Sequence, residues 1–425
     1  MSEARLRIAF LVYRGNPRCG GQGVYTRHLT RELVRLGHEV TVLSGQPYPE
    51  LDEGVAFVEV ASLDLYREPD PFRLPKLGEL TSRTDVYELA IMCTAGFPEP
   101  RTFSIRARRL LRGRRADFDL VHDDQSLGSG ILGMMRDGWP LIETIHHPIT
   151  VDRELDLAHA VSARRRVALR RWYGFLRMQA RVARRVPRVI TVSESSRRDI
   201  ATQLGVAESR IAVVPVGVDE SVFRPRPEVS RVKGRVVTTA SADVPMKGML
   251  PLLEALAKAR TERDDTHLVV VGSLREGSRV PAALERLGLS GAVRFVSGIS
   301  DTELARLYAS AEVAVVPSLY EGFSLPAIEA MASGVPLVAT TGGALPEVAG
   351  RDGETALLVA PNDPSALAAG LLRALADEAL RERLGDAGRC RTIERFTWPV
   401  TARRTAEQYR LLLAGRDSDQ RRSAC

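Results

Sequence analysis

At 425 residues the chain is too long for one comfortable hydrophobic core, and two domains are expected. Its 44% apolar content is that of an ordinary globular protein; no stretch approaches the roughly 18 apolar residues that span a bilayer, and the first apolar run is too short for a signal sequence. The four cysteines, Cys19, Cys93, Cys390 and Cys425, have neither metal-ligand spacing nor the density of a secreted scaffold, so a cytosolic protein with reduced, mostly structural thiols is expected.

Short apolar runs alternate with amphipathic segments, the pattern of parallel sheets covered by helices on both faces. The chain opens with a strand at 8–13, a glycine-rich turn, a helix at about 24–36 stopped by Gly37, and a strand at 39–43. In the turn Gly20-Gly21-Gln22-Gly23 the bare backbone at Gly21 and Gly23 can come close to a phosphate or a sugar. The turn lacks the G-x-G-x-x-G spacing of dinucleotide folds, and the second strand ends in Leu43-Ser44-Gly45, without an acid for a ribose. Further strands are predicted at 120–122, 141–145, 189–192 and 211–214. His146 follows the strand at 141–145, at the carboxyl edge where open parallel sheets bind ligands, with His147 beside it. Asp117-Phe118-Asp119 has the D-x-D form of a metal motif but leads directly into an apolar strand, and Asp123 and Asp124 read as acceptor-side or structural groups. No metal site is predicted.

The formal net charge of +7 is local in origin. Residues 164–188 hold ten arginines and no Asp, Glu or Lys. Leu169, Trp172, Tyr173, Leu176 and Ala180 recur there at helical spacing, while Arg170, Arg177, Arg181 and Arg184 form a neighbouring stripe. Residues 106–115 hold six more arginines. Such stripes read as solvated helix faces or as peripheral contacts with anionic lipid, at the inner face of the membrane, or with a phosphorylated acceptor. Neither cluster carries a nucleic-acid-binding motif.

Pro215-Val216-Gly217-Val218-Asp219 is the predicted hinge, and strands follow at 235–240, 267–271, 293–295, 313–317, 337–339 and 356–359. Lys247 stands between the first of these strands and a helix, where an ammonium could neutralise charge building on a departing diphosphate. Glu321 falls in the loop after 313–317 and Glu329 about one turn inside a helix that Pro326 can start, so both carboxylates can face one small pocket. Between them the amides of Gly322, Phe323, Ser324 and Leu325 approach a helix N-terminus, whose unpaired N–H groups and positive dipole end suit a diphosphate. A phosphate-binding turn flanked by two hydrogen-bond acceptors fits a nucleotide sugar. Only the tail from about Arg416 is a candidate for disorder.

The stretch 315–339, continuing into Gly342-Gly343 and Pro346-Glu347-Val348, resembles the donor-binding signature of glycosyltransferase family 4, retaining enzymes of the GT-B fold. That resemblance implies an α/β architecture of two Rossmann-like doubly wound parallel-sheet domains facing an interdomain cleft. The acceptor-side domain would span 1–216 and the donor domain 217–398, and the crossing helix and tail, introduced by Phe396-Thr397-Trp398, would return at 399–425 to the first domain. It implies metal-independent transfer of a hexosyl unit from a UDP- or GDP-sugar to a lipid, small-molecule or glycan acceptor, with no cofactor. By the same resemblance Glu329 binds the nucleotide ribose, Glu321 and the 322–325 amides hold sugar and phosphates, and Lys247 stabilises the leaving group. Gly21 would lie beside the diphosphate, and His146, preferred to His147, would hydrogen-bond the donor sugar on domain closure. The chain departs from the family at Ser241 and Ala242, where an arginine commonly precedes the lysine. A sugar-nucleotide epimerase of the same architecture and a non-catalytic sugar-nucleotide or glycan-binding protein stay open as alternatives.

Overall fold

In the computed structural model, which describes residues 5–16, 21–67, 70–158, 160, 162–239, 244–274 and 277–423, the chain divides into two compact units. The first comprises residues 1–192, 196–214 and 401–425, the second 193–195 and 215–400. Ser241, Ala242, Gly20, Cys19 and Cys425 lie outside the described residues.

Strands β1 (Arg7–Val12), β2 (Glu39–Ser44), β3 (Ala56–Glu59), β4 (Leu120–Asp124), β5 (Leu141–Thr144), β6 (Arg188–Thr191) and β7 (Ile211–Val213) make one parallel sheet in the first unit, ordered β3-β2-β1-β4-β5-β6-β7. The second unit repeats the plan with β8 (Arg235–Thr239), β9 (His267–Val271), β10 (Val293–Val296), β11 (Val313–Val316), β12 (Leu337–Thr340) and β13 (Leu357–Val359), ordered β10-β9-β8-β11-β12-β13. Both are doubly wound sheets, and strand order reverses between β1 and β4 and between β8 and β11. Crevices at the carboxyl ends of such strand pairs are where ligands bind.

Strands buried on both faces read as continuous apolar runs, and β1 and β11 do so in the sequence. β3 was not predicted: Ala-Phe-Val-Glu lies largely exposed at the sheet edge, so no burial pattern marks it. The first helix runs Gly21–Arg35 and turns Tyr25, Leu29 and Leu33 inward. It stops at Gly37, whose φ of +91° only glycine adopts freely and whose amide bonds to the Val34 carbonyl.

The hinge segment pairs with the returning chain: Val218 N donates to Phe396 O, and a side chain on Gly217 would strike the backbone at Trp398. From there the helix Trp398–Ser423 extends through the tail read as disordered from the sequence. Within the first unit its Tyr409 hydroxyl lies 2.6 Å from His122 Nδ1, and Gln408 accepts from Arg188 Nε at 2.8 Å.

The basic stretch 164–188 forms two helices, Ala163–Trp172 and Leu176–Ala183, joined by a 3-10 turn, rather than one continuous helix. Leu169 and Leu176 are buried and nine of the ten arginines exposed. The 106–115 cluster is not a simple solvated stripe. Arg106 is buried between Asp85 at 2.6 Å and Glu88 at 2.5 Å, Arg108 pairs with Asp137, and Arg115 lies over the Trp139 ring. Burial of structural thiols was also not found where it can be seen, since Cys93 and Cys390 are free and exposed. Among the described residues no helix is long and apolar enough to cross a membrane.

Candidate active site

In the second unit three loops meet at the carboxyl ends of neighbouring strands. After β8 comes the 3-10 turn Pro245–Lys247, ended by Gly248 with φ +68°, where a Cβ would lie 2.0 Å from Pro317 O. The loop after β11 is joined to it by Leu319 N donating to Met246 O at 2.7 Å. The loop after β12 closes from the other side. Gly343, at φ +61°, brings its backbone against Glu321 O, which accepts from Ala344 N at 2.8 Å.

This scaffold sets Lys247 and Glu321 on either side of the strand-order reversal, with Lys247 Nζ 2.8 Å from Glu321 Oε1. Ser318 Oγ donates to the same oxygen at 2.7 Å. Glu321 is buried and Lys247 about one-third exposed, so the pair is fixed from the acid side and open from the amine side. An ammonium has three N–H donors. One directed at Glu321 leaves two for an incoming anion.

Glu321 is followed by the turn Gly322, Phe323, Ser324 and the helix Leu325–Ala332. Ser324 takes φ +129° and caps the helix by accepting from Ala327 N, while Pro326 occupies the first turn, where its missing amide costs nothing. Glu329 projects one turn further on. Burial, with Asp301 at the start of the next helix over adding repulsion, pushes its carboxyl up to about 8. Tyr308 neighbours it and is itself held by the Thr239 hydroxyl at 2.9 Å. Lys247, Glu321, the 322–325 turn and Glu329 are thus gathered in one unit. Ser318 lies within the 315–339 signature but had no role assigned to it, and Tyr308 lies outside that pattern, so neither was singled out from the sequence.

In the first unit Gly23 sits where a Cβ would overlap Asn16 O, so the turn requires glycine there; at Gly21 a Cβ would meet nothing within 4 Å among the described residues. Gln22 reaches Asp124 O through Nε2 at 3.4 Å, which connects the turn to β4. His146 Nε2 lies 2.8 Å from Oδ1 of the fully buried Asp124, and His146 N donates to Gln125 Oε1 at 2.8 Å. Gln125 returns a bond from Nε2 to His147 O, clamping the two-residue peptide. The Tyr25 ring stands edge-on to His146 at 4.7 Å. His147 instead turns to Asp152 on the following helix, 3.0 Å away. The geometry separates two residues that the sequence left side by side.

Below His146 the acids are dense. Asp123 and Glu143 are cross-strand partners on β4 and β5, both fully buried. Burial raises the Asp123 carboxyl to about 6 and Glu143 well above its usual range, so Glu143 keeps a proton beside Asp123. Burial likewise raises Asp124, with His146 opposing. His122, sealed between Tyr409 and Thr144, is driven down to about 3 by burial and stays neutral. Sequence reasoning also missed the buried Glu99, 3.3 Å from Arg14 and raised to about 8 mainly by burial. In the D-x-D segment Asp119 pairs with Arg7 at 2.7 Å and Asp117 with Arg114.

Two family profiles cover nearly the whole chain: Glycosyltransferase Family 4 over residues 19–222 and Glycosyl transferases group 1 over 223–391. The MMP alpha-(1->4)-mannosyltransferase of Mycolicibacterium hassiacum is 53% identical over 410 residues, 96% of this chain and 99% of that protein. The chain belongs to glycosyltransferase family 4. A D-inositol 3-phosphate glycosyltransferase of Nocardioides sp. is 32% identical over 93% of the chain and 86% of its own length. Among solved structures, sucrose-phosphate synthase from Thermosynechococcus elongatus superposes with a TM-score of 0.72 over 97% of this chain and 100% of that one, at 23% identity. HepE of Anabaena in complex with UDP and glucose gives 0.70 over 95% and 99%, at 18%. These likenesses establish the GT-B fold, and family membership makes the protein a glycosyltransferase. Neither the epimerase nor the binding-protein alternative gains support.

Proposed function

We propose that the protein is a retaining α-mannosyltransferase that transfers mannose from a GDP- or UDP-linked donor to a glycan hydroxyl, forming an α-(1→4) linkage. The observation that carries this reading is the 53% identity extending over 99% of the mannosyltransferase relative. The geometry of the second unit suits the donor. Glu329 binds the ribose hydroxyls. The 322–325 turn and Lys247 hold the diphosphate, and Glu321 directs a carboxylate oxygen at a sugar hydroxyl while Lys247 and Ser318 occupy its Oε1. Gly21 and Gly23 offer bare backbone to the diphosphate, and His146 hydrogen-bonds the donor sugar. As the bond from C1 to the β-phosphate oxygen breaks, the acceptor oxygen bonds C1 on the same face, and its proton passes to the departing phosphate. Lys247 stabilises the charge that builds there, the role a metal fills in other transferases.

A peripheral contact with anionic lipid is a further part of the reading, favoured by nine exposed arginines in 164–188 and by Phe72, 58% exposed, whose ring lies 6.1 Å from Trp172 in the same segment. The deciding experiment for the activity mixes the protein with GDP-mannose, UDP-glucose and other nucleotide sugars, with and without mannosyl glycans, and follows nucleotide release and the anomeric configuration of the product. Acceptor-dependent release from one mannosyl donor, insensitive to EDTA, is expected. Release that needs no acceptor, an inverted product, or activity abolished by EDTA and restored by manganese would each overturn the corresponding element.

A further inference from the structure

We propose that Asp124 is the positioning residue of His146: its carboxylate takes the Nε2–H of the imidazole, fixing the Nε2–H tautomer and leaving Nδ1 as a hydrogen-bond acceptor for a hydroxyl of the donor sugar. The inference rests on the reading of His146 as a donor-sugar ligand and adds what makes the ring competent for it.

Four observations support the assignment. Asp124 is wholly buried and its Oδ1 stands 2.8 Å from Nε2, while Oδ2 has no hydrogen-bond partner among the described residues. Among the described residues the imidazole is therefore the one side chain through which this buried acid is satisfied. A carboxylate can only accept, so the shared proton sits on Nε2 and the lone pair on Nδ1. The opposite nitrogen, Nδ1, has no protein partner among the described residues and is not sealed from solvent. Finally, the backbone on both sides is committed: His146 N donates to Gln125 Oε1 and His146 O accepts from Ser196 Oγ, so the ring can turn only about its own side-chain bonds. Tyr25, edge-on at 4.7 Å, limits that rotation. Among the described residues the other ionisable groups around the pair include Asp123 and Glu143 on β4 and β5, His122 on β4, Tyr13 just after β1, and Tyr25 on the first helix. His122 faces Tyr409 and Thr144 rather than Asp124 and does not compete for its carboxylate.

Two measurements on the full chain test the proposal. Long-range proton–nitrogen correlation spectra of 15N-histidine-labelled protein, with the His146 signal assigned through His146→Gln, should show the Nε2–H tautomer at neutral pH. An Nδ1–H signature would mean that Asp124 donates rather than accepts, and would overturn the proposal even if no Asp124 variant folds. Second, Asp124→Asn should lower kcat by roughly ten- to a thousandfold, because an amide can present N–H to Nε2 and reverse the tautomer, while affinity for GDP or UDP alone stays within twofold. The double variant Asp124→Asn, His146→Ala should be no slower than His146→Ala. Additive losses would show that Asp124 acts independently of His146. If His146→Ala alone keeps parental turnover, the sugar contact in the proposed function fails while the tautomer assignment is judged by its own spectrum.

Discussion

The Glu329 carboxyl gives the sharpest test of the donor site, because one group links stability, nucleotide affinity and pH. Its folded value is raised to about 8 from an ordinary 4.5, chiefly by burial and then by Asp301. Between those two values the unfolded chain has released the proton that the folded chain retains. Stability from this group is therefore complete below about 4.5 and declines as pH rises through 8. Each pH unit in that window is worth about 1.4 kcal/mol, so the whole shift is on the order of 5 kcal/mol. Partial contact with solvent brings the expected loss nearer 2–4 kcal/mol. Glu329→Gln carries no such proton, so thermal unfolding of the variant, compared with the parent from pH 5.5 to 8.5, should gain relative stability toward the alkaline end. The same group should mark nucleotide binding. Ribose hydroxyls donate to an ionised carboxylate, so binding at pH 7 should expel up to one proton, readable by calorimetric titration in buffers of different ionisation enthalpy. In Glu329→Gln that release should vanish and affinity should fall. Parallel pH–stability curves for the two proteins, together with binding that exchanges no proton, would refute both the burial argument and the ribose assignment.

Lys247→Ala should reduce turnover about a hundred- to a thousandfold, the scale of losing one aimed electrostatic donor, and steady-state kinetics showing a loss below threefold would remove Lys247 from the reaction. Gly343→Ala, which sets a Cβ 2.3 Å from Glu321 O at a φ of +61°, should displace Glu321 and depress kcat more than nucleotide affinity. Arg106→Ala leaves Asp85 and Glu88 without their shared cation and should destabilise the first unit by about 3–5 kcal/mol, measured by denaturant unfolding, with nucleotide affinity unchanged. Replacing Arg170, Arg177, Arg181 and Arg184 by Gln should weaken co-sedimentation with anionic vesicles, and binding by the parent should fade with salt over a screening length of about 8 Å at physiological strength. A parent that ignores such vesicles at low salt would assign the stripe to solvation.

The fold was legible wherever burial leaves a pattern in the chain. β1, β9 and β11 announce themselves because helices cover both sheet faces and demand apolar residues throughout their buried parts, which in β1 and β9 follow a polar first residue. β3 is exposed and has no such constraint, and so was invisible. The donor loop was legible for a different reason: Ser324, Pro326 and the glycines mark a helix start, and Glu321 and Glu329 are close enough in sequence for local geometry to relate them. Contacts that only tertiary structure creates were not legible. Lys247 meets Glu321 across 74 residues, and His146 meets Asp124 across 22, because adjacent strands of a doubly wound sheet deliver their loops to one edge. Composition also misled at Arg106, where a surface-looking run of arginines hides one that neutralises two buried acids.

The bond between Tyr409 and His122 spans 287 residues, and it constrains how the protein comes off the ribosome. The first unit lacks a piece of its own interior until residues 401 onward have been synthesised, whereas the second is contiguous from 215 to 400 apart from three residues. His122 is neutral and fully enclosed when Tyr409 is present. During translation that site on β4 stays open until the helix Trp398–Ser423 arrives, so the first unit is begun before the second yet completed after it, an inversion of the usual amino-to-carboxyl order of domain folding.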